Sequence, residues 1–183
     1  MFSITDTTSL RLPRLQDAAE LYALTDVNRV YLRRWLPWLD AVQSEQHTRE
    51  YLQDVIDQRE AGRGPVFAIV HGGALAGVIG FHPIDVFHRV GEIGYWLAEA
   101  QQGQGIMTEC CRFLVGYGFR TLELNRIQIP AATANYRSRA IPERLGFQLE
   151  GIIRGRENLY GTFVDHAMYS MLQSELPDGL NAG

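Results

Sequence analysis

The chain has 183 residues, of which 46% are hydrophobic and 21% charged, and its formal net charge is −4. This length suits one domain with a substantial core. The acidic balance disfavours a nucleic-acid-binding protein, which usually has an excess of basic residues. No apolar run approaches the roughly 18 residues of a membrane span, and the pattern predicts no signal peptide. The two cysteines, Cys110 and Cys111, are neighbours and indicate neither a disulfide framework nor a zinc site. We therefore expect a cytoplasmic protein.

The first part of the chain is predicted to contain a short strand and two helices. The strand covers residues 9–12, and Asp17 is placed to cap the helix that follows. Apolar residues recur at helical spacing in that helix, with a break near Asn28. Ser44 is placed to cap a second helix over residues 45–60.

A meander of three strands follows these helices. Residues 66–71 and 74–81 are predicted strands joined by a two-glycine turn, and the second strand is expected to continue towards Phe87. Residues 90–97 form the fourth strand of the chain. The three strands are therefore expected to pair in antiparallel fashion.

In the second half of the chain, a helix joins two predicted strands, in place of the tight turns of the meander. A helix from Gly105 leads to a strand over residues 126–131, and this order implies a right-handed parallel crossover. The fourth and fifth strands should therefore lie side by side. A short helix over residues 136–145 and a final pair of strands follow, and we expect a frayed tail after Pro177. The pattern predicts one mixed α/β (α+β) domain.

The stretch Gln102-Gly103-Gln104-Gly105 lies between the fourth strand and the helix after it. Glycine lets the backbone approach a phosphate closely, and a helix N-terminus presents N–H groups and a favourable dipole to an anion. A dinucleotide-binding loop would follow the first strand of a parallel sheet and carry a third glycine. A mononucleotide P-loop would end in Gly-Lys-Ser/Thr. Spacing alone leaves two interpretations open, an anion site and a tight strand-to-helix turn.

This stretch and five further segments together resemble a known family. The segments are RRWLPW at 33–38, IGYWL at 93–97, GIMTE at 105–109, NYRSRAIPERLGF at 135–147 and YGTFVDH at 160–166. The sequence resembles the GNAT acyl-CoA N-acyltransferase superfamily, and within it the branch of bacterial ribosomal-protein N-terminal (α-amino) acetyltransferases. The superfamily signature, Gln/Arg-x-x-Gly-x-Gly/Ala, matches residues 102–107, except that Met107 stands in place of the last Gly or Ala.

The resemblance implies a single GNAT domain over residues 1–183, with its core at about 8–175. The implied fold is a twisted, mostly antiparallel sheet with a splayed central parallel pair and helices on both faces. Pro130 removes one ladder donor from the fifth strand and is consistent either with this splaying or with the strand's end.

The resemblance also implies acetyl-CoA as cosubstrate and no metal ion. The pyrophosphate would rest on the amides of residues 103–108, and the pantetheine arm would pair along the fourth strand near residues 95–97. The implied cofactor-binding residues are Tyr95, Trp96, Leu97, Gln102, Gly103, Gln104, Gly105, Ile106, Met107, Thr108, Asn135, Arg137, Ser138 and Arg139.

Four polar residues at the start of the short fourth helix have both structural and functional interpretations. Asn135 and Ser138 are typical helix-capping residues. The family instead implies Asn135 against the pantetheine and the Ser138 hydroxyl near the thioester sulfur, where it would assist the leaving thiolate. Arg137 and Arg139 would meet the 3′-phosphate of CoA, or else carry solvated charges on the helix surface.

Glu92 is the candidate general base. An attacking amine is mostly protonated at neutral pH and must lose a proton before attack, and a carboxylate beside the thioester can accept it. The alternative is an exposed strand carboxylate or a structural ion pair. His82, His88 and His166 compete for the role of base, and His166 alternatively contacts the acceptor.

The resemblance implies acetyl transfer to a primary amine, and it favours the N-terminal α-amine of a protein, such as a ribosomal protein, as acceptor. The implied substrate-binding residues are Trp35, Trp38 and His166, although both tryptophans fit core packing equally well. One alternative acceptor is a small amine, such as an aminoglycoside, a polyamine or an amino-acid-like metabolite. A CoA-binding sensor without turnover is a second alternative. The branch allows a homodimer, for which no sequence stripe gives independent support.

Overall fold

The computed structural model describes residues 1–177, and the frayed tail expected after Pro177 lies outside the described residues. The strands are β1 (Phe2–Ser3), β2 (Thr8–Arg11), β3 (Val66–His71), β4 (Ala74–Phe81), β5 (Val90–Leu97), β6 (Arg126–Ala132), β7 (Gln148–Leu159) and β8 (Thr162–Leu172). The helices are α1 (Ala18–Val27), α2 (Arg29–Leu32), α3 (Glu45–Glu60), α4 (Ile106–Arg120) and α5 (Tyr136–Arg144).

All eight strands belong to one sheet, in the order β1-β2-β3-β4-β5-β6-β8-β7. Within residues 1–177, every neighbouring pair in this order is antiparallel except β5 and β6, which are joined through α4 and run parallel. The predicted mixed sheet with one parallel pair is therefore confirmed. No helix of the described residues is long and apolar enough to cross a lipid bilayer.

The core lies on both faces of the sheet, because side chains alternate along each strand. In β3, Phe67 and Ile69 belong to the apolar cluster that contains α4, whereas Val66 and Ala68 belong to the cluster that contains α1 and α3. Gly118 allows α4 to pack closely, since a Cβ there would lie 2.7 Å from Ile127 Cδ1. Helix α4, which carries the predicted anion site at its N-terminus, is thus held rigidly against the sheet.

Three details of the sequence prediction need correction. Strand β4 ends at Phe81 and does not continue towards Phe87, because the chain turns back and joins β5 through hydrogen bonds between Asp85 and Val90. The Asp17 side chain does not cap α1. It instead accepts hydrogen bonds from the Arg11 guanidinium and from the Arg14 backbone N–H. Strand β1 is an addition that the sequence pattern did not predict.

The parallel pair separates soon after it begins. Strand β5 pairs with β6 only where Val90, Gly91 and Glu92 face residues 126–128. Beyond these positions, β5 remains paired with β4 to Leu97, and β6 remains paired with β8 to its end. Pro130 lies inside β6, opposite Met168, so the interpretation that it marks the end of the strand is wrong. A cleft opens between the two strands.

Candidate active site

The gap between β5 and β6 forms a cleft of about 1170 Å³. It brings together most residues of the predicted site, which come from β5, the loop before α4, the start of α5, the loop after α2, and β8. The predicted residues that line it are Trp35, Glu92, Tyr95, Trp96, Leu97, Gln102, Gly103, Gly105, Ile106, Met107, Thr108, Asn135, Arg137, Ser138 and His166. Three predicted residues, Trp38, Gln104 and Arg139, are not among its lining residues.

The loop before α4 has the backbone geometry of an anion site. Gly103 and Gly105 have φ angles of 76° and 78°, in the left-handed region that favours glycine. A Cβ added at either position would meet no atom within 4 Å, so conformation rather than lack of space requires glycine there. The same open surroundings leave room for a ligand at the N-terminus of a 15-residue helix. The loop is therefore a tight turn that also meets the requirements of a phosphate cradle.

The Gln102 side chain connects this loop to two helices. Its amide nitrogen donates to the Tyr31 hydroxyl in α2, and its amide oxygen accepts from Arg137 Nη1 in α5 at 2.7 Å. Tyr31 also lines the cleft, and the sequence prediction missed it. A second contact from the same region runs from the Glu99 backbone N–H to Asn28 Oδ1, at 2.9 Å.

The Ser138 hydroxyl is fixed at the wall of the cleft. Its Oγ lies 3.1 Å from the Tyr95 hydroxyl, which also donates to the Ser138 carbonyl at 3.2 Å. Burial raises the pKa of Tyr95 well above its usual range, so the phenol stays protonated. The Asn135 side chain accepts from the Ser138 backbone N–H at 3.2 Å, which confirms the capping interpretation for Asn135. Capping does not compete with a functional role for the Ser138 hydroxyl, because that contact uses the backbone of Ser138.

Glu92 lies where β5 and β6 begin to part. Its Oε2 accepts from Gln128 Nε2 and from Arg156 Nη2, both at 2.9 Å, and its side chain is 21% exposed. The carboxylate is thus held by a hydrogen bond and an ion pair while it faces the cleft. Neither contact uses the other carboxylate oxygen, Oε1.

A second carboxylate, which the sequence prediction missed, also lines the cleft. Glu157 Oε2 lies 3.3 Å from His166 Nε2, and both residues line the cleft. His166 is buried, and within residues 1–177 its Nδ1 has no hydrogen-bond partner. A lone pair on Nδ1 without a partner costs less than a buried N–H without an acceptor, so the contacts favour the tautomer in which Nε2 carries the hydrogen and donates to Glu157.

The predicted residues outside the cleft have structural contacts. The Arg139 guanidinium donates to the Tyr169 hydroxyl and to the Thr133 carbonyl, each at 3.0 Å. Trp38 packs on Trp96, with ring centroids 6.4 Å apart. The two tryptophans of the loop therefore differ, since Trp35 lines the cleft whereas Trp38 packs behind its wall.

The tryptophan loop, residues 33–40, is held by hydrogen bonds from two other parts of the chain. Arg29 in α2 donates to the carbonyls of Leu39 and Val42. At the far side, the Tyr160 hydroxyl donates to the Leu36 carbonyl at 2.7 Å. The cleft therefore has a wall supported by α2 on one side and by the β7–β8 turn on the other.

The acid, histidine and cysteine residues do not form a metal site among the described residues, where no three of these side chains are grouped to hold an ion. Of the competing histidines, His82 lines the cleft together with His166. His88 instead packs against Phe87.

A mixed sheet that opens along its parallel pair, with a glycine loop leading into the connecting helix, is the architecture of an acyl-CoA-dependent acyltransferase. The chain matches the acetyltransferase (GNAT) domain family over residues 8–148 and belongs to that family. It is an N-acetyltransferase by this membership, as its relatives also indicate.

Two curated relatives and one solved structure extend this result. The chain is 39% identical to a putative ribosomal N-acetyltransferase, YdaF, of Bacillus subtilis over 91% of this chain and 92% of that protein. It is 34% identical to the ribosomal-protein-serine acetyltransferase of Escherichia coli over 83% of this chain and 85% of that protein. The structure of RimL, a ribosomal L7/L12 alpha-N-protein acetyltransferase in complex with coenzyme A, aligns with a TM-score of 0.90 at 30% identity, covering 93% and 97% of the two chains.

Proposed function

We propose that the protein transfers the acetyl group of acetyl-CoA to the N-terminal α-amine of a protein, and that a ribosomal protein is the favoured acceptor. The observation that carries the proposal is the arrangement of the cleft. A phosphate cradle lies at the end of β5, Glu92 lies near its start, and Glu157 and the Ser138 hydroxyl also line the cleft. The relatives named for ribosomal-protein acetylation support the choice of acceptor.

The cofactor end of the cleft suits acetyl-CoA. The amides of residues 103–108 would hold the pyrophosphate, with Arg137 as a neighbouring cation. Past Glu92, the edge of β5 that faces β6 is not paired with it. This edge would bind the pantetheine arm as an added strand. A backbone N–H near residues 95–97 would then donate to the thioester oxygen as negative charge develops there.

The acceptor end of the cleft supplies the proton acceptor. An α-amine with a pKa near ~8 is largely protonated at neutral pH and must lose its proton before it attacks. Glu92 is the base that we propose from its position, and Glu157 is the second candidate. Accepting a proton would cost Glu92 its ion pair with Arg156, whereas Glu157 contacts His166. The two carboxylates can therefore be separated by mutation.

The leaving thiolate requires a hydrogen-bond donor on the opposite wall. Ser138 is the candidate, because its hydroxyl is already oriented by Tyr95. The Tyr95 hydroxyl has one proton, so it frees the serine proton for the departing sulfur by turning that proton from the Ser138 carbonyl to Ser138 Oγ. The Ser138–Tyr95 pair is thus proposed to assist departure of CoA.

The function can be tested by measuring release of the CoA thiol from acetyl-CoA in the presence of single acceptors. The acceptors are lysine-free peptides with an N-terminal Ser or Ala, a polyamine, an aminoglycoside and a free amino acid, and an Nα-acetylated peptide serves as control. The 17 residues counted as Lys plus Arg are all arginine, so the enzyme contributes no side-chain amine to the background.

We expect the free peptides to accelerate thiol release, and mass spectrometry should locate the acetyl group on the α-amine. If small amines accelerate release and no peptide does, the small-amine alternative replaces the proposal. If acetyl-CoA binds and no acceptor is acetylated, a sensor role would be favoured.

We further propose a cytoplasmic location, where the two free, buried cysteines would remain reduced. A homodimer is also proposed from the branch that the sequence resembles. Sedimentation of the purified protein at several concentrations tests this, and a single monomeric species throughout would reject it.

A further inference from the structure

The acceptor end of the cleft contains a fixed cation that the proposed chemistry does not use. Arg156 lines the cleft, and its Nη2 donates to Glu92 Oε2 at 2.9 Å. Glu92 is itself anchored by Gln128. Arg156 is therefore held in place by a carboxylate that cannot move freely, while its side chain remains 33% exposed.

A bulge in β7 positions this arginine. Strand β7 pairs with β8 at Ile153 and again at Glu157, opposite His166 and Val164, so the three residues between them face a single residue of β8. Gly155 in the bulge has a φ of 58°, and its N–H donates to Asp165 Oδ1 at 2.8 Å. Bulges of this kind redirect side chains next to active sites. Arg154 belongs to the same bulge but is exposed and is not among the lining residues of the cleft.

Arg156 alters the charge balance of the cleft. Glu92 and Glu157 are both carboxylates that face the cleft, and Arg156 pairs with the first of them. Two carboxylates and one guanidinium together leave a single net negative charge for the reacting ammonium group. Without Arg156, Glu92 would lose its ion pair, and the two carboxylates together would suit an acceptor with two cations.

We propose that Arg156 selects a peptide N-terminus over a polyamine as the acceptor, an inference that rests on the proposed function. A peptide N-terminus has a carbonyl oxygen next to its amine, and the guanidinium has further N–H groups that can donate to this oxygen. A polyamine offers a second cation at a short distance from the reacting amine, which Arg156 repels. The same side chain thus favours one acceptor class and opposes the other.

The experiment measures kcat/KM for a lysine-free peptide with an N-terminal Ser and for spermidine, in wild type and in Arg156→Gln, Arg156→Lys and Arg154→Gln. The reported quantity is the ratio of the two kcat/KM values, because a general loss of catalysis cancels in this ratio. Arg154→Gln removes the same charge from the same bulge and is the matched control.

In Arg156→Gln we expect the peptide-to-spermidine ratio to fall roughly ten- to a hundredfold, the range for one charged hydrogen bond. Arg156→Lys should still exclude spermidine, since the positive charge remains. Its kcat/KM for the peptide should fall in part, because lysine lacks the planar guanidinium group. Arg154→Gln should keep the wild-type ratio. If Arg156→Gln is too slow to measure, binding of the two amines to the CoA-bound protein by calorimetry gives the corresponding ratio.

An unchanged ratio in Arg156→Gln overturns this inference but leaves the proposed function intact as long as wild type acetylates the peptide. An equal fall in Arg154→Gln also overturns it, because total charge would then explain the effect. A wild-type enzyme that acetylates spermidine and no peptide rejects the proposed function itself, and with it the role of Arg156.

Discussion

The two ends of the cleft differ in the chemical groups that they present. At the proposed cofactor end, the groups that would face a ligand are backbone amides of a glycine loop and the unpaired edge of β5. At the proposed acceptor end they are charged side chains, held in the pairs Glu92–Arg156 and Glu157–His166. Backbone groups tolerate changes of side chain, and Met107 at a position usually occupied by Gly or Ala is one such change. Charged pairs can be altered by a single substitution, so acceptor choice can change while cofactor binding persists.

The largest expected effect is at the acceptor end. Glu92→Gln and Glu157→Gln, made side by side, should separate the general base from its neighbour, since loss of the base lowers kcat roughly 10²–10⁴-fold. The variant of the other carboxylate should show a smaller decrease in kcat. Acetyl-CoA affinity, measured by calorimetry, should stay within about threefold in both, because neither carboxylate belongs to the phosphate loop. If both variants retain most of their activity, neither carboxylate is the base.

A smaller effect is expected at the cofactor end. Gly105→Ala places a side chain at a φ of 78°, which costs about 1–2 kcal/mol and should raise the KM for acetyl-CoA roughly tenfold. Gly105→Asn should be milder, because asparagine adopts this conformation more readily. Gln104→Ala is the control within the same loop, since Gln104 is not among the lining residues. A normal KM in Gly105→Ala would show that the loop geometry does not hold the phosphates.

Helix α4 supports the phosphate loop, and two of its glycines allow the packing of this helix to be tested by thermal stability. Gly118→Ala would place a Cβ 2.7 Å from Ile127 Cδ1 and 2.9 Å from Phe81 Cζ, and such overpacking costs about 1–3 kcal/mol. At Gly116 the three nearest atoms to the added Cβ would belong to the Arg120 guanidinium, the end of a long side chain, so Gly116→Ala should cost less than Gly118→Ala. Thermal unfolding measures both. Equal melting temperatures would contradict close packing of α4 at Gly118.

The smallest expected signal comes from the thiols of α4. Burial raises the pKa of the Cys110 thiol to about 12 and also raises that of Cys111. Both thiols therefore stay neutral as pH rises from 7 to about 9, and a thiolate-specific disulfide reagent should leave the folded protein unlabelled. Two thiols per chain should react after denaturation. Rapid labelling of the folded protein would show that the core beneath the cofactor end opens readily.

Features that depend on local residue spacing could be predicted from the sequence, whereas features that depend on strand register could not. The glycine loop, the Ser44 cap and the break at Asn28 are local features, and the structure has all three. Glu157 was missed because a bulge redirects this part of β7, and a strand of alternating charges resembles a solvated surface. Tyr31 was missed because it meets Gln102 across 71 residues of sequence. Asp17 was misassigned because its partner Arg11 is brought near by the fold, and an ion pair outweighs a cap.

Helix α2 is a single turn, yet it contacts two loops that line the cleft. Tyr31 contacts the phosphate loop through Gln102, while Arg29 holds the tryptophan loop through the carbonyls of Leu39 and Val42. Two loops that share one support cannot be exchanged independently. Replacing residues 29–42 with those of a relative, to obtain a new acceptor preference, would also replace Tyr31. The contact between Tyr31 and Gln102 in the glycine loop would then change as well. Engineering of this enzyme is therefore better started from the β7 bulge than from the tryptophan loop.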